Sequence, residues 1–229
     1  MKTLSLLLIL ILSNAFTKPE NSNRLMPKVE QYVNQVTSEF KQIPGERQSA
    51  LKEIAGYVQS KVKSGETAKL TFICTHNSRR SHISQIWAQA AAHYYGIKGV
   101  ETFSGGTEAT AFNPRAVKAM QETGLEIKKM NDSSNPVYEV KYAEDAQSLK
   151  AYSKVYDADK NPTRDFAAIM TCSEADKNCP FIPGANLRIP IPYEDPKAFD
   201  GTDKEVQAYR ERCEQIAREM FYLFSQVRN

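Results

Sequence analysis

The fold is decided by the stretch Phe72-Ile73-Cys74-Thr75-His76-Asn77-Ser78-Arg79-Arg80-Ser81. Cys74 ends an apolar segment that begins at Leu70, and Arg80 stands six positions after it, ahead of a helix-like stretch from Ser84 to Tyr95. A loop that curls back between a strand and a helix directs its backbone N–H groups, and the positive end of the helix dipole, at one point. The pattern therefore predicts a binding site for a tetrahedral oxyanion, held by backbone amides and a guanidinium beside a cysteine sulfur.

This positive field also favours the thiolate form of Cys74, which is the form that acts as a nucleophile. Of the four cysteines, only Cys74 has an arginine six residues on, a strand-like run before it and a helix-like run after it. The alternative that stays open is a buried cysteine at a strand end, next to two solvated arginines. The residues predicted to bind the oxyanion are Thr75, His76, Asn77, Ser78, Arg79, Arg80 and Ser81.

The loop resembles the signature loop of the low-molecular-weight tyrosine phosphatases and the thioredoxin-coupled arsenate reductases, two groups that share one fold. Two further stretches extend the resemblance. The segment 103–107, Phe-Ser-Gly-Gly-Thr, followed by 113–117, Asn-Pro-Arg-Ala-Val, is similar to the second strand, turn and helix of that fold. Tyr193-Glu194-Asp195-Pro196 is similar to the loop that carries the general acid, so the resemblance implies that role for Asp195. It covers about residues 68–227.

Cys172 and Cys179 lie seven residues apart, just after a predicted strand at 166–171. This spacing is not that of a Cys-x-x-Cys motif, and it permits a short helix that must partly unwind before the two sulfurs can bond. The resemblance to the arsenate reductases implies a relay. Cys74 attacks arsenate and Asp195 protonates the departing oxygen. Cys172 and then Cys179 resolve the adduct, and a thioredoxin-like protein reduces the final disulfide.

Three other interpretations stay open. The first is a phosphatase that uses Cys74, Arg80 and Asp195 through a phosphocysteine intermediate, although Lys197 stands after the Asp-Pro pair where the phosphatases usually have an aromatic residue. The second is a module that binds an anion and performs no chemistry. The third, for the cysteine pair alone, is a structural disulfide, which an exported protein would favour.

The loop departs from the family pattern at His76, where glycine is usual, and at Arg79, where cysteine is frequent. His76 either tunes the thiolate or faces solvent, and Arg79 either adds positive potential or points outward. Cys74, His76 and His82 have side chains that bind zinc, but a guanidinium at the centre of the loop repels a cation. The sequence therefore predicts neither a metal nor a cofactor.

The chain has 229 residues and a formal net charge of +3, which is too mild to indicate a nucleic-acid partner. Residues 1–15 have a basic start, an apolar stretch from Leu4 to Leu12 and a small-x-small ending at Ala15. These features predict a cleaved signal peptide, hence an exported protein, periplasmic or extracellular, with no stable membrane association after cleavage. A retained tether or a buried N-terminal helix is the alternative. Cys213, on the last helix, is predicted to be a buried structural thiol.

Residues 16–67 are predicted to form an N-terminal helical extension, with two amphipathic helices between Pro27 and Lys63. Residues 68–229 are predicted to form the catalytic domain, interrupted at about 129–165 by an inserted β-hairpin. Strands alternate with helices through this domain, which predicts an α/β, three-layer fold with a parallel sheet of about four strands. The predicted strands are 69–73, 100–104, 137–142, 149–156 and 166–171, and the predicted helices are 82–95, 113–124 and 202–227.

Overall fold

A computed structural model describes residues 24–228. The predicted signal segment at 1–15 lies outside the described residues. Within 24–228, no helix is both long and apolar enough to cross a membrane. In chain order the elements are α1 (Pro27–Ser38), α2 (Gly45–Lys63), β1 (Ala68–Cys74), α3 (Arg80–Tyr94), β2 (Val100–Gly106), α4 (Pro114–Glu122), β3 (Glu126–Lys129), β4 (Tyr138–Lys141), β5 (Leu149–Ala151), β6 (Phe166–Met170), α5 (Ser173–Asn178), β7 (Ala185–Pro190) and α6 (Glu205–Ser225).

Four strands form a parallel sheet in the order β2-β1-β6-β7, which confirms the predicted fold class. β1 and β6 are apolar and buried along nearly their whole length, as expected of inner strands covered on both faces. Cys74 pairs with Gly106 of β2, and Ile73 pairs with Met170 of β6. The carboxyl ends of these strands therefore meet at one edge of the sheet, where ligands of α/β folds bind.

The two faces of the sheet are covered unequally. One face shares a core with α1, α2, α3 and α6, and the other carries a smaller cluster with α5, Ile182 and Tyr156. The N-terminal helices were predicted from their apolar spacing, and α1 and α2 bury those apolar positions in the larger core. The extension thus packs on the sheet domain as part of one hydrophobic core.

The inserted segment forms an antiparallel sheet in the order β3-β4-β5. The two predicted strands of the hairpin are present as β4 and β5, and β3, which was not predicted, pairs with β4. The prediction that the second strand continues to residue 156 was wrong, because the chain leaves this sheet after Ala151 and crosses to β2. There Val155 forms a parallel bridge with Gly106.

Gly105 permits this crossing. A Cβ atom at residue 105 would lie 2.3 Å from the Cα of Tyr156, so no other residue fits without moving the backbone. The inserted segment is thereby held against the carboxyl end of β2, next to Cys74 in the neighbouring strand.

Candidate active site

The loop between β1 and α3, residues 75–79, turns its carbonyl groups outward. The carbonyl of Cys74 and three carbonyls of the loop accept hydrogen bonds from outside the loop. The acceptors and donors are Cys74 O and Thr107 N (3.1 Å), Thr75 O and Glu108 N (2.9 Å), His76 O and Ser153 Oγ (3.0 Å), and Ser78 O and Asn113 N (2.9 Å). In a planar trans peptide the N–H points opposite to the carbonyl, so the amides that follow these carbonyls face into the loop. Within residues 24–228, no backbone N–H of residues 75–79 donates a hydrogen bond to protein. These free donors lie around the concave space where the sequence predicts an oxyanion to bind.

Asn77 closes the loop in a left-handed conformation, with φ of 42°. Its side-chain Nδ2 donates to Ser81 Oγ at 2.8 Å, and Ser81 Oγ lies 3.1 Å from Cys74 Sγ. Because Ser81 accepts from Asn77, its own hydroxyl hydrogen is available for the sulfur of Cys74. The arrangement supplies a hydrogen-bond donor to the sulfur of Cys74, which is only 3% exposed.

Arg80, the first residue of α3, is buried with its guanidinium beside the loop. Its Nη1 donates to the carbonyl of Tyr193 at 2.9 Å and its Nη2 to Asp195 Oδ2 at 2.8 Å. Its Nε is buried and has no hydrogen-bond partner among the described residues. An oxyanion in the loop would satisfy this donor.

Asp195 precedes a single 3₁₀ turn, Pro196–Phe199, and accepts the backbone N–H of Lys197 at 3.1 Å. The salt bridge to Arg80 brings its carboxyl group to the loop although the two residues are 115 positions apart. The sequence-predicted arginine and carboxyl group are therefore in direct contact, and Arg80 begins the helix that follows the Cys74 loop.

Arg79 does not point outward, which was one of the two alternatives considered from sequence. Its side chain is buried, donates from Nε to Tyr209 Oη at 2.8 Å, and lies 3.8 Å from carboxylate oxygens of both Asp195 and Asp200. Tyr209 Oη in turn donates to Asp200 Oδ1 at 2.8 Å. Burial raises the pKa of Tyr209 to about 12. The hydrogen bond from Arg79 opposes this shift and the contact with Asp200 adds to it, so the hydroxyl keeps its proton at neutral pH. Arg79 thus ties the loop to the segment that carries Asp195.

Cys172 lies at the carboxyl end of β6, beside the loop. Its Sγ is 3.4 Å from Thr75 Oγ1, and the residue is fully buried. It caps the first turn of α5, and Cys179 caps the other end with its side chain partly exposed. All four cysteines are free thiols. Cys172 and Cys179 are therefore separated by the whole length of α5.

The remaining cysteine, Cys213, is buried in the larger core, where Trp87 Nε1 donates to its sulfur at 3.3 Å. Burial raises the pKa of this thiol to about 12, so it stays protonated and unreactive at neutral pH. This environment agrees with the predicted structural role.

The two histidines near the loop differ in environment. His76 is half-exposed, and its Nε2 lies 3.0 Å from Glu108 Oε1 at the mouth of the site. His82 is fully buried, with Nδ1 3.1 Å from Ser104 Oγ, and burial holds its pKa well below the ordinary value, so the ring is neutral. Within residues 24–228, no group of three histidine, cysteine or acidic side chains is placed to hold a metal ion.

Several contacts of the site were not predicted. Arg47 of α2 donates to Glu219 at 2.8 Å and to the carbonyl of Ile191 at 3.1 Å, and its guanidinium lies 4.5 Å from the ring centre of Tyr193. The N-terminal extension therefore reaches the segment that precedes Asp195. Ser153 of the inserted segment also contacts the loop. These partners lie far from the loop in the chain, and no local pattern marks them.

The chain is similar in sequence to known phosphatases and arsenate reductases. Residues 69–145 match the family model described as low molecular weight phosphotyrosine protein phosphatase. Arsenate reductase 2 of Staphylococcus epidermidis is 33% identical over 128 residues, covering 55% of this chain and 76% of that protein. The arsenate reductase of Bacillus subtilis is 29% identical over 147 residues, covering 64% of this chain and 87% of that protein. A low molecular weight tyrosine phosphatase structure from T. tengcongensis covers 69% of this chain and 97% of its own, at 17% identity and a TM-score of 0.47.

Proposed function

This chain belongs to the family of low-molecular-weight tyrosine phosphatases and related arsenate reductases, and on that basis we propose that it reduces arsenate to arsenite. The reaction begins at Cys74, whose thiolate attacks the arsenic of an arsenate bound in the loop. A sulfur–arsenic bond forms, and a hydroxyl group of the arsenate leaves as water after taking a proton from Asp195. The free amides of residues 75–79 and the unpaired Nε of Arg80 support this step, because they are oriented to hold the oxyanion.

The observation that carries the proposal is the position of Cys172. It lies beside Thr75 at the end of the strand next to Cys74, so its sulfur needs little movement to reach the nucleophile. Hydrolysis through a phosphocysteine does not require a second thiol at this place. Cys179 then stands at the partly exposed end of α5, where a reductant has access.

Two further thiol steps release arsenite and regenerate the thiolate of Cys74. The thiolate of Cys172 attacks Cys74 Sγ, the sulfur–arsenic bond breaks, and its electron pair stays on arsenic, which leaves as arsenite, As(III). The sulfurs of Cys74 and Cys172 form a disulfide. Cys179 attacks Cys172 Sγ and releases the thiolate of Cys74, leaving a Cys172–Cys179 disulfide. A thioredoxin-like dithiol then supplies the two electrons that restore both thiols.

The experiment is a thiol count on fully reduced protein before and after incubation with arsenate, with the new disulfide located by mass spectrometry. The expected result is a loss of two thiols per chain, found between Cys172 and Cys179. Cys172→Ser should remove this loss, and Cys213→Ser, which alters a buried thiol outside the site, should not. No arsenate-dependent loss of thiols would refute the relay.

A second candidate is hydrolysis of phosphate monoesters through a phosphocysteine. The ion pair between Arg80 and Asp195 beside the loop favours this function, because hydrolysis through a phosphocysteine uses these two residues and needs no second cysteine. The two functions separate in the Cys172→Ser variant. A phosphatase keeps its hydrolysis of an aryl phosphate in this variant, whereas a reductase loses arsenate turnover.

We further propose export of the protein, on the basis of the signal-like residues 1–15. An exported reductase requires a thioredoxin-like partner in the same compartment. Cell fractionation with an antibody to the sheet domain tests this location, and a signal confined to the cytosolic fraction would contradict it.

A further inference from the structure

We infer that Ser153, in the inserted segment, is a positioning residue for the oxyanion loop. The inference rests on the first step of the proposed function, which the reductase and the phosphatase share. Ser153 lies outside the residues 69–145 that match the family model, and it is 77 positions from the loop residue it contacts. The inserted segment is thereby part of the machinery of the site.

The hydrogen bonds of Ser153 have only one consistent direction. The side chain is buried, and its Oγ lies 2.8 Å from the backbone nitrogen of Thr110 and 3.0 Å from the carbonyl oxygen of His76. The N–H of Thr110 can only donate, so Ser153 Oγ accepts from it. The single hydroxyl hydrogen of Ser153 is therefore directed to His76 O.

The carbonyl of His76 matters because of the amide that follows it. When this carbonyl points outward, the N–H of Asn77 points into the loop, toward the position of an oxyanion. One other group holds the carbonyl, the hydroxyl of Thr110, at 3.2 Å on the exposed side. Since Ser153 also holds the backbone of Thr110, its loss weakens both supports of His76 O.

Ser153 is itself fixed on its far side. The amide of Asn135 makes two bonds to the backbone of Ser153, donating to its carbonyl at 2.8 Å and accepting from its N–H at 3.1 Å. This pair imitates the ladder between two strands and leaves the serine little freedom. The hydroxyl is therefore preorganised, which is the property a positioning group needs.

Lys154, the residue after Ser153, connects the inserted segment to the sulfur of Cys74. The backbone N–H of Lys154 donates to Asn77 Oδ1 at 2.9 Å, so the amide of Asn77 must present its nitrogen to Ser81. Ser81 then directs its hydrogen to Cys74. The inserted segment thus orients both the backbone N–H of Asn77, which faces the oxyanion, and the side chain of Asn77, which acts through Ser81 on the nucleophile.

A purely structural Ser153 would stabilise the insertion without affecting the anion or the thiolate. Two readouts separate the possibilities: the dissociation constant for inorganic phosphate, and the rate at which iodoacetamide alkylates Cys74 at pH 6. For Ser153→Ala, the loss of one hydrogen bond and the loosening of a second predicts phosphate binding weaker by about 5- to 10-fold. Alkylation of Cys74 should slow in the same variant, and Ser153→Thr, which keeps the hydroxyl, should restore both values.

The matched control is Ser133→Ala, which removes an exposed hydroxyl of the same insertion; among residues 24–228 this hydroxyl bonds only to Asn131. If Ser153→Ala does not fold, Asn135→Ala tests the same contact from farther away, and the expected losses of phosphate affinity and of alkylation rate are smaller. Phosphate binding and alkylation within twofold of the unaltered chain, in a folded Ser153→Ala, would overturn the inference alone. If the unaltered chain binds no phosphate and Cys74 reacts no faster than a cysteine in a peptide, the first step of the proposed function fails, and the inference fails with it.

Discussion

Arg188 is expected to set the redox potential of the Cys172–Cys179 pair, because it holds α5 in its helical form. Its Nε donates to the carbonyl of Cys179 at 2.9 Å, and its Nη2 donates to the backbone oxygen and the carboxylate of Asp176 at 2.7 and 2.6 Å. The two cysteines are seven residues apart across a helix, which places their Cα atoms about 10 Å from each other. A disulfide spans at most about 7 Å between Cα atoms, so α5 must unwind before the bond forms.

The magnitude follows from these contacts. Each backbone hydrogen bond contributes about 1 kcal/mol, and the ion pair with Asp176 adds little because both side chains are partly exposed. Arg188 therefore stabilises the reduced, helical form by about 2 kcal/mol. For a two-electron couple this corresponds to about 40 mV, so Arg188→Gln should make the potential more negative by that amount.

The assay is equilibration in glutathione redox buffers, with the fraction of disulfide read by thiol labelling in a Cys74→Ser background that prevents bonding to the nucleophile. Lys177→Gln is the matched control, since it removes one positive charge from the same helix and its side chain has no hydrogen bond or ion pair within residues 24–228. A shift of less than about 10 mV in Arg188→Gln, or a shift to a more positive potential, would refute this account of α5.

Three further changes have definite expected outcomes. Asp195→Asn should slow the hydrolysis of an aryl phosphate with a poor leaving group by about 100-fold or more, while phosphate still binds; an unchanged rate would exclude Asp195 as the general acid. Burial lowers the pKa of Lys154 to about 8, below its unfolded value of about 10.4. The buried lysine therefore lowers the free energy of unfolding fully below pH 8, and this loss of stability disappears as the pH rises toward 10. Lys154→Met should therefore raise the free energy of unfolding, measured in urea, by about 3 kcal/mol at pH 7 and by less than about 1 kcal/mol at pH 10; an equal gain at both values would contradict the titration. Gly105→Ala should destabilise by about 1–3 kcal/mol, because its Cβ meets the backbone of Tyr156, and should expose the inserted segment to protease; an unchanged melting temperature would show that the contact is not close.

Much of the fold was predictable from local pattern. Apolar runs bounded by turn residues indicated β1, β2 and β6, and apolar positions at helical spacing indicated α1, α2 and α6. β7 and β3 were missed, because β7 carries alternating partly exposed residues, and β3 is a four-residue strand with three exposed positions. The second strand of the insertion was predicted too long, since its apolar pattern continues to Tyr156 while the backbone after Ala151 bonds to β2 instead.

For the site, local sequence was enough to identify the strand, the anion loop and the helix around Cys74, because these features depend on neighbouring residues and on backbone geometry that recurs wherever the pattern occurs. Long-range packing decided the rest. The contact of Ser153 with His76 spans 77 positions and that of Arg79 with Tyr209 spans 130. Such hydrogen bonds depend on where distant segments meet in space, and a serine or tyrosine that makes one is indistinguishable in sequence from one that faces solvent. The chemistry available to Cys74 is therefore encoded near it, whereas the groups that hold its loop in shape are fixed only when the chain has folded.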